Sequence, residues 1–431
     1  MAEKIQAVRG MNDILPHQTS AWRRLEELFS SCVMQYGYQE IRFPIVENTQ
    51  LFKRTIGDLT DIVEKEMYSF QDLNGDSLTL RPEGTAGCLR ACLENGLLHN
   101  QLQKLWYFGP MFRHEKPQKG RYRQFFQFGV ETFGMATTAI ELELIALCKR
   151  FWQALGISEE VNLQINTLGE LAERNEYITK LIAYFKTHYD KLDEDSKRRL
   201  EKNPMRILDS KNPEMQSLIQ DAPLLIDSLS NESRTRFDDL CAGLKKLGIP
   251  YSVNPFLVRG LDYYGHTVFE WVTGKLGSQA TICAGGRYDA LVEHLGGNPT
   301  PAIGFAMGAE RLLLLMESLD IKKDCIKEPS IFIIANGKDA LEDALILAEE
   351  LRSTNQGWQI ITNTAGGAFK SQFKRADKSG ADFALILGEE EITRKEVGVK
   401  NLRSYEEQRT IPQRELINYL QTAVSNKDSG V

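Results

Sequence analysis

The sequence predicts an α+β fold: an antiparallel sheet flanked by helices, with a helical insertion, followed by a C-terminal α/β domain. Three observations carry this. Aromatic and β-branched segments up to Phe133 come in pairs joined by polar turns, the pattern of antiparallel strands. From about Glu170 to Gly248 that texture gives way to charged amphipathic helices, and strand signals return from Phe256. After Glu328-Pro329 short apolar strands alternate with helices, as in a parallel or mixed α/β layer. The domains are therefore placed at 1–325, with the insertion at about 170–250, and at 329–431. A chain of 431 residues exceeds what one core usually organises.

Taken in order, Trp22, Leu25, Leu28, Phe29 and Val33 recur at helical spacing between Thr19 and Tyr36. Tyr38 to Glu47, interrupted by Pro44, reads as a strand at an edge or interface. A hairpin runs from Met67–Phe70 through Asn74-Gly75-Asp76 to Ser77–Arg81. Pro82-Glu83-Gly84-Thr85 then supplies helix-start chemistry for a helix reaching Glu94. Strands are expected at 104–115 and 124–133, joined by the basic loop 116–123, and a helix at 137–155 closes the unit. Beyond the insertion, strands are expected at 256–271, 280–284 and 302–307, the last running into a helix at 310–319. The C-terminal domain reads as strand 331–335, helix 340–352, strand 358–361, helix 369–379 and strand 383–387.

Composition narrows the function classes. Hydrophobic residues make up 42% and charged residues 26%, an ordinary globular balance, and no apolar run reaches the ~20 residues of a membrane span. Met1 to Asp13 is polar and lacks the apolar stretch of a signal peptide, so the cytoplasm is expected. Seven cysteines contain no CxxC pair, and Cys88 and Cys92 have no matching partner pair, which argues against a metal centre. A net charge of −7 argues against a surface that binds nucleic acid everywhere, but leaves room for local basic patches at 116–123 and 370–378.

The strand Gln124–Phe133 is the most informative stretch. Phe126, Phe128 and Val130 point to one face, while Phe125, Gln127, Gly129 and Glu131 point to the other. The second face suits either solvent or a polar small molecule lying on the sheet. Arg113 ends the apolar run of the neighbouring strand, where a guanidinium needs an anion, either a phosphate or an internal carboxylate such as Glu83 or Glu131. Arg259, Tyr263 and Tyr264, flanked by glycines, make a poor core but a good pocket. Gly285-Gly286, before Arg287 and Tyr288, permits close backbone approach, though taken alone it reads as a turn. Gly304 to Arg311 is a strand-to-helix junction with GxxxG spacing but no GxGxxG fingerprint, and the chain holds no Walker GxxxxGK[ST] sequence. A cation at Arg311, in the first helical turn, is unfavourable unless an anion lies nearby.

Together these residues resemble the class II aminoacyl-tRNA synthetases, whose three motifs are matched in order by Phe43-Pro44-Ile45-Val46-Glu47, by Phe112-Arg113-His114-Glu115 through Phe125 and Glu131, and by Gly304–Arg311. Two stretches are more specific, Leu257-Val258-Arg259-Gly260-Leu261-Asp262-Tyr263-Tyr264 and Ala284-Gly285-Gly286-Arg287-Tyr288-Asp289. They resemble the two histidine-specific signatures of the histidyl-tRNA synthetase family. Val8–Pro16 and Arg81-Pro82-Glu83-Gly84-Thr85 are similar to that family as well. The resemblance implies ATP-dependent activation of L-histidine to histidyl-adenylate and transfer to the 3′ end of tRNA(His), with Mg2+, a homodimer and a C-terminal domain that reads the anticodon. It implies Arg113 and Arg259 as catalytic arginines on opposite sides of the α-phosphate, Arg259 standing where related enzymes use a metal ion. ATP would meet Arg113, Thr85, Phe125, Arg311 and Glu115, with Phe125 and Arg311 around adenine. Histidine would meet Glu83, Gln127, Glu131, Arg259, Tyr263, Tyr264 and Tyr288. Gln118, Arg121 and Arg123 would meet the tRNA acceptor end, and the insertion is expected to serve tRNA binding. The rivals are a non-catalytic relative acting as a regulatory subunit of histidine biosynthesis, which lacks the anticodon domain, another class II synthetase, and an RNA-binding sensor.

Overall fold

The computed structural model describes residues 4–57, 60, 62–210, 212–258, 263–321, 330–337, 340–354 and 357–428, with only the backbone described at 278–279 and 424–428. Arg259, expected to be catalytic, and its neighbours 260–262 lie outside the described residues. The chain divides into two compact units, Met1–Asp324 and Cys325–Val431.

Ala21, Leu25, Phe29, Cys32 and Val33 share one face of α1 (Pro16–Gln35), and that face is buried. The strand expected over 38–47 is two short pieces, β1 (Gln39–Glu40) and β2 (Val46–Asn48). Pro44 lies between them and cannot donate to a ladder, and there the chain leaves one sheet for another. Next come α2 (Thr49–Ile56), the hairpin β3 (Tyr68–Gln71) and β4 (Ser77–Leu80), and α3 (Thr85–Glu94). The hairpin turn is closed by Asp72, whose side chain accepts the N–H groups of Asn74 and Asp76, both at 2.9 Å. The long pair β5 (Gln103–Phe112) and β6 (Gln124–Phe133) is antiparallel throughout, followed by α4 (Thr138–Leu155).

A strand absent from the sequence reading follows, β7 (Asn162–Thr167). The insertion comprises α5 (Leu171–Thr187), α6 (Glu194–Lys202), α7 (Gln216–Gln220) and α8 (Asn231–Lys246), and the chain returns through β8 (Tyr251–Val253). Of the stretch expected as a strand at 256–271, Gly265 onward is strand, 259–262 lie outside the described residues, and Pro255 and Phe256 form a turn in which Leu257 N–H reaches Asn254 O at 3.0 Å. β9 (Gly265–Val272), β10 (Thr281–Arg287), α9 (Ala290–His294), β11 (Ala302–Gly308) and α10 (Ala309–Ser318) complete the unit. Gly285 and Gly286 are a strand interior in β10, not a turn. A Cβ on Gly285 would meet Gly304 O at 2.3 Å, and one on Gly286 would meet Thr267 O at 2.7 Å and the Tyr264 ring at 2.9 Å. Close approach on both sides is what these glycines allow.

Among the described residues the main sheet has eight strands in the order β1-β5-β6-β11-β10-β9-β7-β8, antiparallel except for the outer pairs β1–β5 and β7–β8. One core lies on the face that carries Phe128, Val130, Phe269 and Ile303, covered by α1, α4, α8 and α10. The second joins Tyr107, Met111 and Phe133 to α3, to insertion residues such as Tyr177 and Phe185, and to Tyr263, Tyr264 and Tyr288.

The second unit contains β12 (Ser330–Ala335), α11 (Ala340–Thr354), β13 (Gln359–Thr362), α12 (Phe369–Lys378), β14 (Phe383–Leu387), α13 (Glu389–Arg394), β15 (Glu396–Asn401), β16 (Arg409–Pro412) and α14 (Gln413–Asp428). Its sheet runs β13-β12-β14-β15-β16. The first three strands are parallel, with β12 and β14 apolar and buried on both faces as parallel strands usually are, and the last two turn antiparallel to make a mixed sheet.

Candidate active site

The alternation along β6 sorts its side chains as expected. Phe126, Phe128 and Val130 pack into the core below, and Phe125, Gln127 and Glu131 face a cavity of about 470 Å³ above. Glycines opposite the polar residues keep that face open. Glu131 is in register with Gly304, where a Cβ would fall 1.9 Å from Glu131 Oε2, and Gln127 lies between Gly109 and Gly308.

At one end of the cavity a carboxylate is enclosed by hydroxyls. Glu131 is buried, and its Oε1 accepts Thr85 Oγ1 at 2.7 Å and Tyr107 OH at 3.1 Å, while its Oε2 accepts Tyr288 OH. Burial pushes the Glu131 carboxyl up to about 8, although hydrogen bonds from Tyr288 and Thr85 oppose the shift. The rings of Tyr263, Tyr264 and Tyr288 stand against one another, with centroids 4.6 Å (263–264) and 5.5 Å (263–288) apart. Glu83 lies beside them at the start of α3, where its carboxylate accepts the N–H groups of Thr85 at 2.7 Å and Ala86 at 2.9 Å. This places an acid on the positive end of a helix, while burial raises its carboxyl above the usual range.

At the other end the charge is reversed. Arg113 donates Nε–H to Pro82 O at 2.8 Å, and its guanidinium lies 5.4 Å from the centroid of the Phe125 ring. The internal carboxylate nearest to it is neither Glu83 nor Glu131 but Glu115, at 4.0 Å, and Glu115 pairs with Arg121 at 2.9 Å. Arg311 donates to Thr281 O at 2.6 Å. Burial, and next the charge of Arg121, pull it below the ordinary arginine value. Cations gathered in a partly buried cleft favour an anion between them. Glu310 was not singled out from sequence. It receives Phe126 N–H on both carboxylate oxygens, at 3.0 and 3.1 Å, and burial pushes it up to about 7.

The structure thus brings Arg113, Thr85, Phe125, Arg311, Glu115, Glu83, Gln127, Glu131, Tyr263, Tyr264 and Tyr288 to one cavity. The hydroxyl of Thr85 is turned to Glu131 rather than to the arginines. Of the loop residues, Arg121 lines the cavity. Gln118 closes a tight turn with Arg121, at 2.9 and 3.0 Å, and is exposed. Arg123 reaches Glu115 O at 3.3 Å and packs on Gly10, so it braces the N-terminal segment. Tyr107 was also missed by sequence reasoning. Its ring fills a slot between Gly84 and Gly129, where a Cβ would come within 2.2 and 2.0 Å, and only that pairing of glycines with an aromatic across the ladder could have signalled it. Among the described residues no group of three or more His, Cys, Asp or Glu could hold a metal ion.

An antiparallel sheet whose polar face carries a caged carboxylate at one end and clustered arginines at the other defines a site for a polar molecule joined to an anion. Comparisons with known proteins give that class a family. The family model described as Histidyl-tRNA synthetase matches residues 10–312, and the one described as Anticodon binding domain matches 330–423. The chain is 65% identical over 421 residues to the histidine–tRNA ligase of Legionella pneumophila (strain Lens), covering 98% of this chain and 99% of the relative. It superposes with a TM-score of 0.81 and 36% identity on apo S. aureus histidyl-tRNA synthetase, covering 96% of this chain and 99% of that one. The chain belongs to the histidyl-tRNA synthetase family. The fold also occurs, at 21% identity and a TM-score of 0.62 over 90% of this chain and 99% of the other, in an ATP phosphoribosyltransferase regulatory subunit/histidyl-tRNA synthetase from Bacillus halodurans C. A likeness of that degree speaks to fold alone, so the regulatory rival is judged on residues, and the cavity keeps its tyrosines and arginines.

Proposed function

We propose that the chain activates L-histidine with ATP to histidyl-adenylate, releasing pyrophosphate, and passes the histidyl group to the 3′ end of tRNA(His). The observation that carries this reading is the polarity of one cavity: Glu131 with its tyrosines at one end, Arg113 and Arg311 at the other. A carboxyl inside a tyrosine cage matches an imidazole, which needs a hydrogen-bonding partner on a flat apolar seat. Glu83 and Gln127, beside that seat, meet the α-amino group. Unpaired pocket groups penalise amino acids without a matching ring nitrogen, so selection needs no editing site.

Activation joins two anions. A histidine carboxylate oxygen attacks the α-phosphorus, and the bond to the bridging oxygen breaks, its electron pair leaving with pyrophosphate. No base is needed, because the nucleophile is already ionised; alignment and charge neutralisation are the tasks left to the protein. Arg113 neutralises one side of the α-phosphate, and by family resemblance Arg259 neutralises the other. Phe125 and Arg311 bracket the adenine. Mg2+, a hard cation that keeps water and binds through phosphates plus one or two carboxylates, suits Glu115 and Glu270 at this end of the cavity. When bound it would neutralise charge on the leaving pyrophosphate. In the second step a ribose hydroxyl of tRNA attacks the activated carbonyl and AMP leaves.

Arg113→Ala is expected to lower kcat for pyrophosphate exchange by roughly 10²–10³-fold with histidine KM nearly unchanged, as for loss of one transition-state donor. An equal loss through KM would make Arg113 a ground-state ligand. The basic loop serves the acceptor end of tRNA through Gln118 and Arg121, while Arg123, expected there as well, is engaged on Glu115 O and Gly10. Arg121 is tied to Glu115 inside the cavity, so exposed Lys119 gives the cleaner test. Lys119→Glu is expected to weaken tRNA charging about tenfold and leave exchange intact, as for loss of a phosphate contact. Equal losses in both would contradict the assignment. The active form is a homodimer in the cytoplasm, and exposed Val46 and Phe70 on the small sheet β2-β4-β3, with Ile45 just before it, supply apolar surface for its interface.

A further inference from the structure

The insertion is linked to the tyrosine-bearing segments of the cavity at two separate places, once directly and once through Glu141. On α5, Arg174 donates from its guanidinium to the backbone carbonyl of Tyr264. On α8, Arg236 donates to Glu141 Oε1 at 3.0 Å and to Ala136 O at 2.8 Å. That Glu141 oxygen also accepts Arg287 Nε–H at 2.9 Å, and both Glu141 and Arg287 are fully buried. Arg287 further holds Met135 O and Asp289 Oδ1, each at 3.1 Å. Asp289 in turn takes Ala302 N–H at 2.7 Å. The residue between Arg287 and Asp289 is Tyr288, whose hydroxyl reaches Glu131. Its backbone is thus clamped on both sides, and the clamp closes on Arg236 through Glu141. Apolar packing runs the same way, since Tyr177 and Phe185 of α5 share one core with Tyr263, Tyr264 and Tyr288.

We propose that Arg174 and Arg236, on the helical insertion, are positioning residues for histidine selection, setting Tyr264 and Tyr288 against the imidazole seat. Neither residue is among those lining the cavity, so each acts through a partner. The proposal rests on the reading that Glu131 and the tyrosines receive the histidine side chain. It gives the insertion a task in amino-acid selection besides any contact with tRNA. A guanidinium anchored on a carbonyl or a buried carboxylate fixes a tyrosine within the few tenths of an ångström that hydrogen-bond selection needs.

The test is pyrophosphate exchange by the full-length protein, carrying Arg174→Ala, Arg236→Ala or the lysine versions, with Glu131→Gln alongside. Histidine KM is expected to rise at least about tenfold in each alanine variant, with ATP KM and kcat at saturating histidine within about threefold of the parent, the split that marks lost binding of one substrate. Lysine is expected to recover part of the loss, because it restores the charge without the fork. Thermal melts separate misfolding from mispositioning; if an alanine variant fails to fold, its lysine version carries the comparison. Unchanged histidine KM in the folded variants, or equal rises for histidine and ATP, would overturn the proposal. If Glu131→Gln also leaves histidine KM unmoved, the pocket reading itself falls, and the proposal with it. If only Glu131→Gln raises it, the pocket stands and the positioning role is refuted.

Discussion

Glu131 is a carboxyl pulled in two directions. Three hydroxyls stabilise its ionised form, yet it is only 1% exposed, and burial wins, pushing it up to about 8. A free imidazole titrates near ~6.5, so the bound pair needs one shared proton, which ligand and pocket together hold only between those values. Histidine KM is therefore expected to be lowest from about pH 6.5 to 8 and to rise on both sides, measured by exchange across pH. Glu131→Gln should remove the alkaline limb; a limb that survives would mean another group titrates. The stability sign is opposite to that of a paired carboxylate. Between the ordinary carboxylate value and about 8 the folded chain keeps a proton that the unfolded chain has lost, so this group's contribution falls as pH rises through that window.

Among the elements, β6 was legible because strict alternation sorts its side chains without help from the rest of the fold, and the Asp72 hairpin because turn chemistry is local. Where tertiary context decides, local patterns fall short. Asn162-Leu163-Gln164-Ile165-Asn166-Thr167 alternates as a strand should, but the helical texture that follows masks the signal of β7. Gly285-Gly286 signals a turn in isolation, and only the neighbouring Gly304 carbonyl and Tyr264 ring explain why a strand needs them bare. The same holds for Arg287. It belongs to a signature stretch, yet it is buried against Glu141 and Asp289 rather than facing the cavity, since no periodicity reveals which cation finds a buried partner. Glu141→Ala would leave buried Arg287 with the more exposed Asp289 as its remaining counter-charge, so the chain should lose about 3 kcal/mol of stability, the lower end for breaking a buried pair, read by denaturant unfolding. A loss below about 1 kcal/mol, the worth of an exposed pair, would show that the network adds little.

At the scale of the molecule, each unit has its own core, and the first holds every described residue assigned to histidine and ATP. Activation and anticodon reading are thereby assigned to different units, and the first can be examined without tRNA. Strand alternation alone puts Phe125, Gln127 and Glu131 on one face, whereas the strand order β6-β11-β10-β9 that sets the tyrosines, glycines and arginines around them is contained in no local signal. The most direct measurement is ATP–pyrophosphate exchange with each of the twenty amino acids and no tRNA. Exchange with histidine alone is expected. Exchange with a different amino acid, or with none, would contradict the central claim, and the second outcome would restore the regulatory reading.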